Sequence, residues 1–166
     1  MKAYMALSCK KGSCTKVLDE LIKMNLSKKD VFILFGPTDI LVQLRELVDF
    51  DEFITKWFNP IRAITPENPM IEKTQTFIVI SEGRSFKEEP YAFLFINTQP
   101  RNLEKVQEAL QKTPGVLSAD TVFGPYDIIC AVRVGNKIAL KQLVEGIEEE
   151  VPNIQGILTE IVAPLY

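Results

Sequence analysis

The sequence predicts an α+β fold in which two consecutive βαββαβ modules pack sheet to sheet. Three observations lead there. Phe35-Gly36-Pro37-Thr38-Asp39-Ile40 returns as Phe123-Gly124-Pro125-Tyr126-Asp127-Ile128, with five of six positions matching, 88 residues further on (124 minus 36) in a chain of 166. Repetition at that spacing marks two related modules. Both halves also carry the same order of short apolar runs and helical-period segments. Finally, Phe93, Leu94, Phe95 and Ile96 are apolar at successive positions, the pattern of a strand covered on both faces. The cheapest cover for the face without helices is the sheet of the other copy.

In the first module, Ala3 to Ser8 is the opening strand, and Val17, Leu18, Leu21 and Ile22 mark a helix. Asp30 to Phe35 and Thr38 to Leu44 flank Gly36-Pro37 as hairpin strands. Phe50, Phe53, Ile54, Trp57 and Phe58 form one face of a second helix, and Asp49 with Glu52 reads as a capping box. Thr74 to Ile80 closes the module. In the second, Tyr91 to Asn97 is a strand, and Asn102 caps a helix carrying Leu103, Val106, Ala109 and Leu110. Thr113-Pro114-Gly115 ends that helix. Val116 to Phe123 and Ile128 to Val134 are the hairpin strands. A helix from Gly135-Asn136 presents Leu140, Leu143, Val144, Ile147 and Val151, and Gly156 to Ala163 is the last strand. The domain reading is therefore 1–80, a polar linker over 81–90, and 91–166.

Composition removes several function classes. The net charge of −3 supplies no basic stripe for phosphates, so no direct nucleic-acid contact is expected. No run approaches the length of a membrane span, and the amino terminus lacks the long apolar core of a signal peptide, so the expected location is cytoplasmic. The absence of histidine removes the commonest general base and metal ligand. Cys9, Cys14 and Cys130 are too few for a disulfide framework or a zinc site. Cys9-Lys10-Lys11-Gly12-Ser13-Cys14 reads as two small residues at a strand-to-helix junction or as a redox pair. No metal or cofactor is expected.

The run Gly115 to Asp127, the helix near Leu143, and Ile154-Gln155-Gly156-Ile157-Leu158-Thr159-Glu160-Ile161-Val162 resemble the effector-binding domain of the Lrp/AsnC (feast/famine) regulators. The likeness covers residues 91–163 and, more weakly, 3–80. It implies ferredoxin-like βαββαβ modules forming a pseudo-dimeric α/β barrel, a covalent version of that family's dimer. It further implies an amino-acid effector near the hairpin, and assembly as a homo-oligomer or with Lrp/AsnC-type regulators. Those regulators carry a helix-turn-helix; the first strand here begins by Ala3, so DNA binding is not carried over.

The site residues implied are Gly36, Thr38, Asp39, Gly124, Tyr126, Asp127 and Thr159. Glycine lets backbone N–H groups approach a carboxylate, and Asp pairs with an ammonium. The same Gly-Pro-x-Asp is equally what a tight turn requires, and Thr76 and Thr159 equally satisfy β propensity. The expected function is non-enzymatic sensing of a small molecule. The alternative is an enzyme of the dimeric α/β-barrel oxygenase or haem type, which the missing histidine and acid–base cluster disfavour.

Overall fold

A computed structural model describes residues 1–64 and 69–164. The strands are β1 (Ala3–Cys9), β2 (Val31–Phe35), β3 (Ile40–Leu44), β4 (Ile71–Ser81), β5 (Ala92–Thr98), β6 (Val116–Phe123), β7 (Ile128–Val132) and β8 (Ile154–Ala163). The helices are α1 (Cys14–Lys23), α2 (Phe50–Glu52), α3 (Asn59–Arg62), α4 (Leu103–Lys112) and α5 (Lys137–Glu150). A π-helical segment, Phe53–Phe58, joins α2 to α3.

The strands hydrogen-bond in one closed antiparallel order, β1-β3-β2-β8-β5-β7-β6-β4. This corrects the predicted fold class, two separate sheets packed sheet to sheet as a pseudo-dimeric α/β barrel of tandem ferredoxin-like modules. Two four-stranded sheets would leave edge strands with unpaired N–H and C=O groups, and a closed order has no edge. Strands apolar on both faces report that both faces are covered, and they are silent on how.

The chain divides into two compact units, Met1–Ile78 with the chain end from Ala163, and Val79–Val162. In the amino-terminal unit, β1 pairs with β3 and β4, and β2 with β3. Ala3, Met5 and Leu7 alternate onto the helix side, where they meet Val17, Leu21, Val42 and Phe53 in one core. Asp49 caps α2 as expected, its Oδ1 accepting from the Glu52 N–H at 2.8 Å. Glu52 returns not to Asp49 but to the Val48 N–H, 2.6 Å away. The single α-helix expected over Phe50–Phe58 is interrupted because Pro60 has no N–H and its ring crowds the preceding turn. That turn widens, and the Asn59 N–H reaches back to the Ile54 carbonyl.

In the carboxy-terminal unit, β5 pairs with β7 and β8, and β6 with β7. Ala92, Leu94 and Ile96 join Val106, Leu110, Leu140 and Ile147 on the helix side. Asn136 caps α5 through Ala139 N–H at 2.8 Å. Asn102 makes no side-chain cap; a 3₁₀ turn, Pro100–Asn102, leads into α4 instead.

The polar segment after β4 is fixed on this unit. Gly83 N–H donates to Asp120 Oδ1 at 2.7 Å. Arg84 reaches the Gln111 side chain at 2.8 Å and the Val116 carbonyl at 3.0 Å. A Cβ on Gly83 would lie 2.4 Å from the Ala119 carbonyl oxygen, so only glycine fits that approach.

Candidate functional site: the paired hairpins

Each unit ties its Gly-Pro hairpin to its own first strand in the same way. β1 carries a bulge between Ser8 and Cys9, and β5 one between Asn97 and Thr98. A bulge takes an amide out of the ladder, and the hairpin aspartate takes that amide up. Asp39 Oδ2 accepts from the Cys9 N–H at 2.7 Å, and Asp127 Oδ2 from the Thr98 N–H at 3.0 Å. The aspartate backbone completes the clip. Asp39 N–H donates to Leu7 O and Asp127 N–H to Ile96 O, each at 2.9 Å, while Leu34 and Val122 donate to the two aspartate carbonyls, also at 2.9 Å. Gly36 adopts φ of +151°, a region that favours glycine. Ser8 Oγ adds a bond to the Pro37 carbonyl at 3.1 Å.

The other predicted site residues divide. Gly36 and Gly124 are exposed at the hairpin tips and Thr38 is buried. Tyr126 is half-buried, its ring centroid 5.6 Å from that of Phe95 at a tilt of 54°. Thr159 lies directly across from Leu94. Cross-strand partners share a face, and Leu94 is in the helix-side core. Thr159 is thus on the helix side, and Phe95 with Tyr126 on the opposite face. The hairpins bring Gly, Tyr or Thr, and Asp together; Thr159 stands apart from them.

Two residues of that opposite face escaped sequence reasoning. Asp120 and Glu160 are both fully buried. Register places Asp120 across from Ile129, and Ile129 across from Phe95; Glu160 is across from Phe93. Both carboxylates therefore share the face that carries Phe93 and Phe95. The available signal was an acidic residue at an i, i+2 position inside an apolar run, as in Leu158-Thr159-Glu160-Ile161-Val162.

The thiols are not activated. Burial, then Cys14, then Asp39 push Cys9 up to about 12, and burial followed by Asp39 also raises Cys14. Cys130, fully buried, is raised by the same desolvation. Among the described residues no group of three or more Cys, Asp or Glu is placed to hold a metal. No helix among them is long and apolar enough to cross a membrane.

With the hairpin clip and its strand order in place, the second half can be compared with known families. Residues 91–163 match the family model described as the Lrp/AsnC ligand binding domain. The family match spans β5 to β8 and includes Gly124, Tyr126 and Asp127. A hypothetical protein from Pyrococcus horikoshii is 29% identical over 47% of this chain and 93% of its own, with a TM-score of 0.42. The siroheme decarboxylase NirDL, in complex with an iron-uroporphyrin III analogue, is 8% identical, covers 99% of this chain and 71% of its own, and has a TM-score of 0.67. A presumed monooxygenase from Lactobacillus acidophilus NCFM is 10% identical over 98% and 92% of the two chains, with a TM-score of 0.56. A search of curated proteins returns no match.

The expectation of a non-enzymatic protein is corrected by these neighbours. The architecture is one that a decarboxylase also uses, so the fold gives no ground for excluding catalysis. The absence of histidine and of a clustered acid–base set led sequence reasoning the other way. At such low identity the likeness establishes the fold and not an activity.

Proposed function

We propose that the chain binds a small amino acid at the hairpin of its Lrp/AsnC ligand binding domain. The family match over residues 91–163 carries this reading. The geometry supplies its parts. Asp127 spends one carboxylate oxygen on the Thr98 amide, which fixes the side chain and leaves the second oxygen for a ligand ammonium. Exposed Gly124 lets a ligand carboxylate approach backbone N–H groups. The Tyr126 ring, held on Phe95, is a wall for the ligand side chain. Gly36, Thr38 and Asp39 are the diverged counterpart.

Asp127→Asn separates the two roles of this residue. It keeps an acceptor for Thr98 and removes the charge. Calorimetric titration with the twenty amino acids should give binding to at least one, weakened about tenfold or more in Asp127→Asn with little loss of stability. Absence of heat for every amino acid would overturn the reading.

A second reading is favoured by the full-length fold likeness to NirDL and by the buried Asp120 and Glu160, namely an enzyme. Histidine and thiolate, two common axial ligands of a haem, are not on offer in this chain. It has no histidine, and burial keeps Cys9 and Cys130 protonated. Adding iron uroporphyrin to the protein discriminates. A saturating change in visible absorbance supports the enzyme reading, and a simply additive spectrum contradicts it.

A further inference from the structure

The amino-terminal unit carries a pair of thiols that the hairpin reading leaves unused. Cys9 ends β1 just past its bulge, and Cys14 is the first residue of α1. The chain between them is tied down along its length. Cys9 N–H donates to Asp39 Oδ2 at 2.7 Å, Lys10 N–H to the Met70 carbonyl at 2.7 Å, and Ser13 N–H to the Lys10 carbonyl at 2.9 Å. Gly12 turns this loop with φ of +81°, where glycine is free of strain. The loop brings the two side chains into contact, and the Cys9 S–H donates to Cys14 Sγ. Both residues are partly exposed and pack against the same helix-side core. The pair therefore sits at the edge of that core, within reach of solvent.

The surroundings of the sulfurs decide what they can hold. On Cys9 burial acts first, then Cys14, then the Asp39 carboxylate and, last, Glu72. On Cys14 burial acts first and Asp39 next. All of these oppose negative charge on sulfur, which makes the pair a poor nucleophile and a slow partner in disulfide exchange. The same acidic neighbours favour a cation placed between the sulfurs. No group of three or more Cys, Asp or Glu among the described residues is placed to hold a metal, whereas a structural zinc site takes four ligands. Two adjacent sulfurs suit a soft cation that accepts two-coordinate geometry, and thiolates select copper(I).

We propose that Cys9 and Cys14 bind one copper(I) ion between their sulfurs. Copper(I) and two thiols give a bis-thiolate complex and two protons, with no change of oxidation state. Copper(I) is softer than a haem iron and bonds both sulfurs at once, which offsets the loss of both protons. In the carboxy-terminal unit Thr98 stands at the place of Cys9, so the pair is not repeated there. The site does not depend on the amino-acid reading of the hairpin around Asp127.

Anaerobic titration of the reduced protein with copper(I), against bathocuproine disulfonate as competing chelator, tests this. It should give one bound ion per chain, an ultraviolet thiolate-to-copper charge-transfer band and release of two protons. Zinc should bind at least about a hundredfold more weakly, lacking its further ligands. Cys9→Ser and Cys14→Ser should each weaken copper binding by more than about a hundredfold, beyond the cost of losing a group that merely supports a ligand. Their melting temperatures should stay near the parent's, and either variant suffices should the other fail to fold. Cys130→Ala removes the remaining thiol and should leave copper binding unchanged. No stoichiometric binding of copper(I), equal affinity for zinc, or undiminished binding in a folded Cys9→Ser or Cys14→Ser variant would overturn the proposal.

Discussion

The two hairpins share a scaffold and differ in what rests on it. Asp39 and Asp127 each take up an amide freed by a bulge, Cys9 in one unit and Thr98 in the other. Around this clip the contents diverge as a set. Tyr126 packs on Phe95, and Phe95 lies across from Ile129. At the matching place in the amino-terminal unit, Ala6 lies across from Leu41, and Thr38 stands in for the tyrosine. An aromatic pair in one hairpin corresponds to a small pair in the other. Residues common to the two hairpins hold the backbone, and those around them differ together.

The largest effect that could break this comparison lies in the clip itself. Asp39→Ala and Asp127→Ala each strand a partly buried amide, and each should lower stability by about 1–3 kcal/mol in urea unfolding. The Asn variants should recover most of that loss. A loss in only one unit would mean that the clip is not a shared structural device.

A smaller effect sharpens the divergence. Tyr126→Thr recreates the amino-terminal arrangement beside a Phe95 that has no counterpart there. Loss of the ring contact should cost about 1 kcal/mol and remove ligand binding, with the Thr98 amide still held. Full binding in the folded variant would show that Tyr126 is not part of the site.

The smallest effect is confined to alkaline pH. The Cys9 thiol titrates in the fold at about 12 instead of 9.0. Its folded form binds the proton more tightly than its unfolded form, so its contribution is fully present below 9.0 and fades as pH rises toward 12. Cys9→Ala should flatten the fall of melting temperature above pH 9.0 relative to the parent. An identical pH profile would indicate that the thiol is less desolvated than the geometry implies.

Much of the local structure was legible. Alternation, Gly-Pro punctuation and the Asp49 cap placed the strands and the start of α2 close to where they lie. Three features were not. Strand closure was hidden because a doubly apolar strand such as Phe93 to Ile96 does not name its cover. The π-helical turn was hidden because Phe53, Ile54, Trp57 and Phe58 keep α-like spacing, and only Pro60 hinted at the change. The buried Gln43, Asp120 and Glu160 were hidden because a single polar residue in an apolar strand carries no partner information until register is known. At the hairpins both readings of Gly-Pro-x-Asp met in one residue, where one aspartate oxygen serves the fold.

The most direct measurement is a calorimetric comparison of Asp127→Asn with Asp39→Asn against an amino acid that binds the parent protein. The account predicts at least about tenfold weaker binding for Asp127→Asn and near-parent affinity for Asp39→Asn, with both variants close to parent stability. Equal affinities in the parent and Asp127→Asn would contradict it, and would reduce Asp127 to a clip for the bulge in β5.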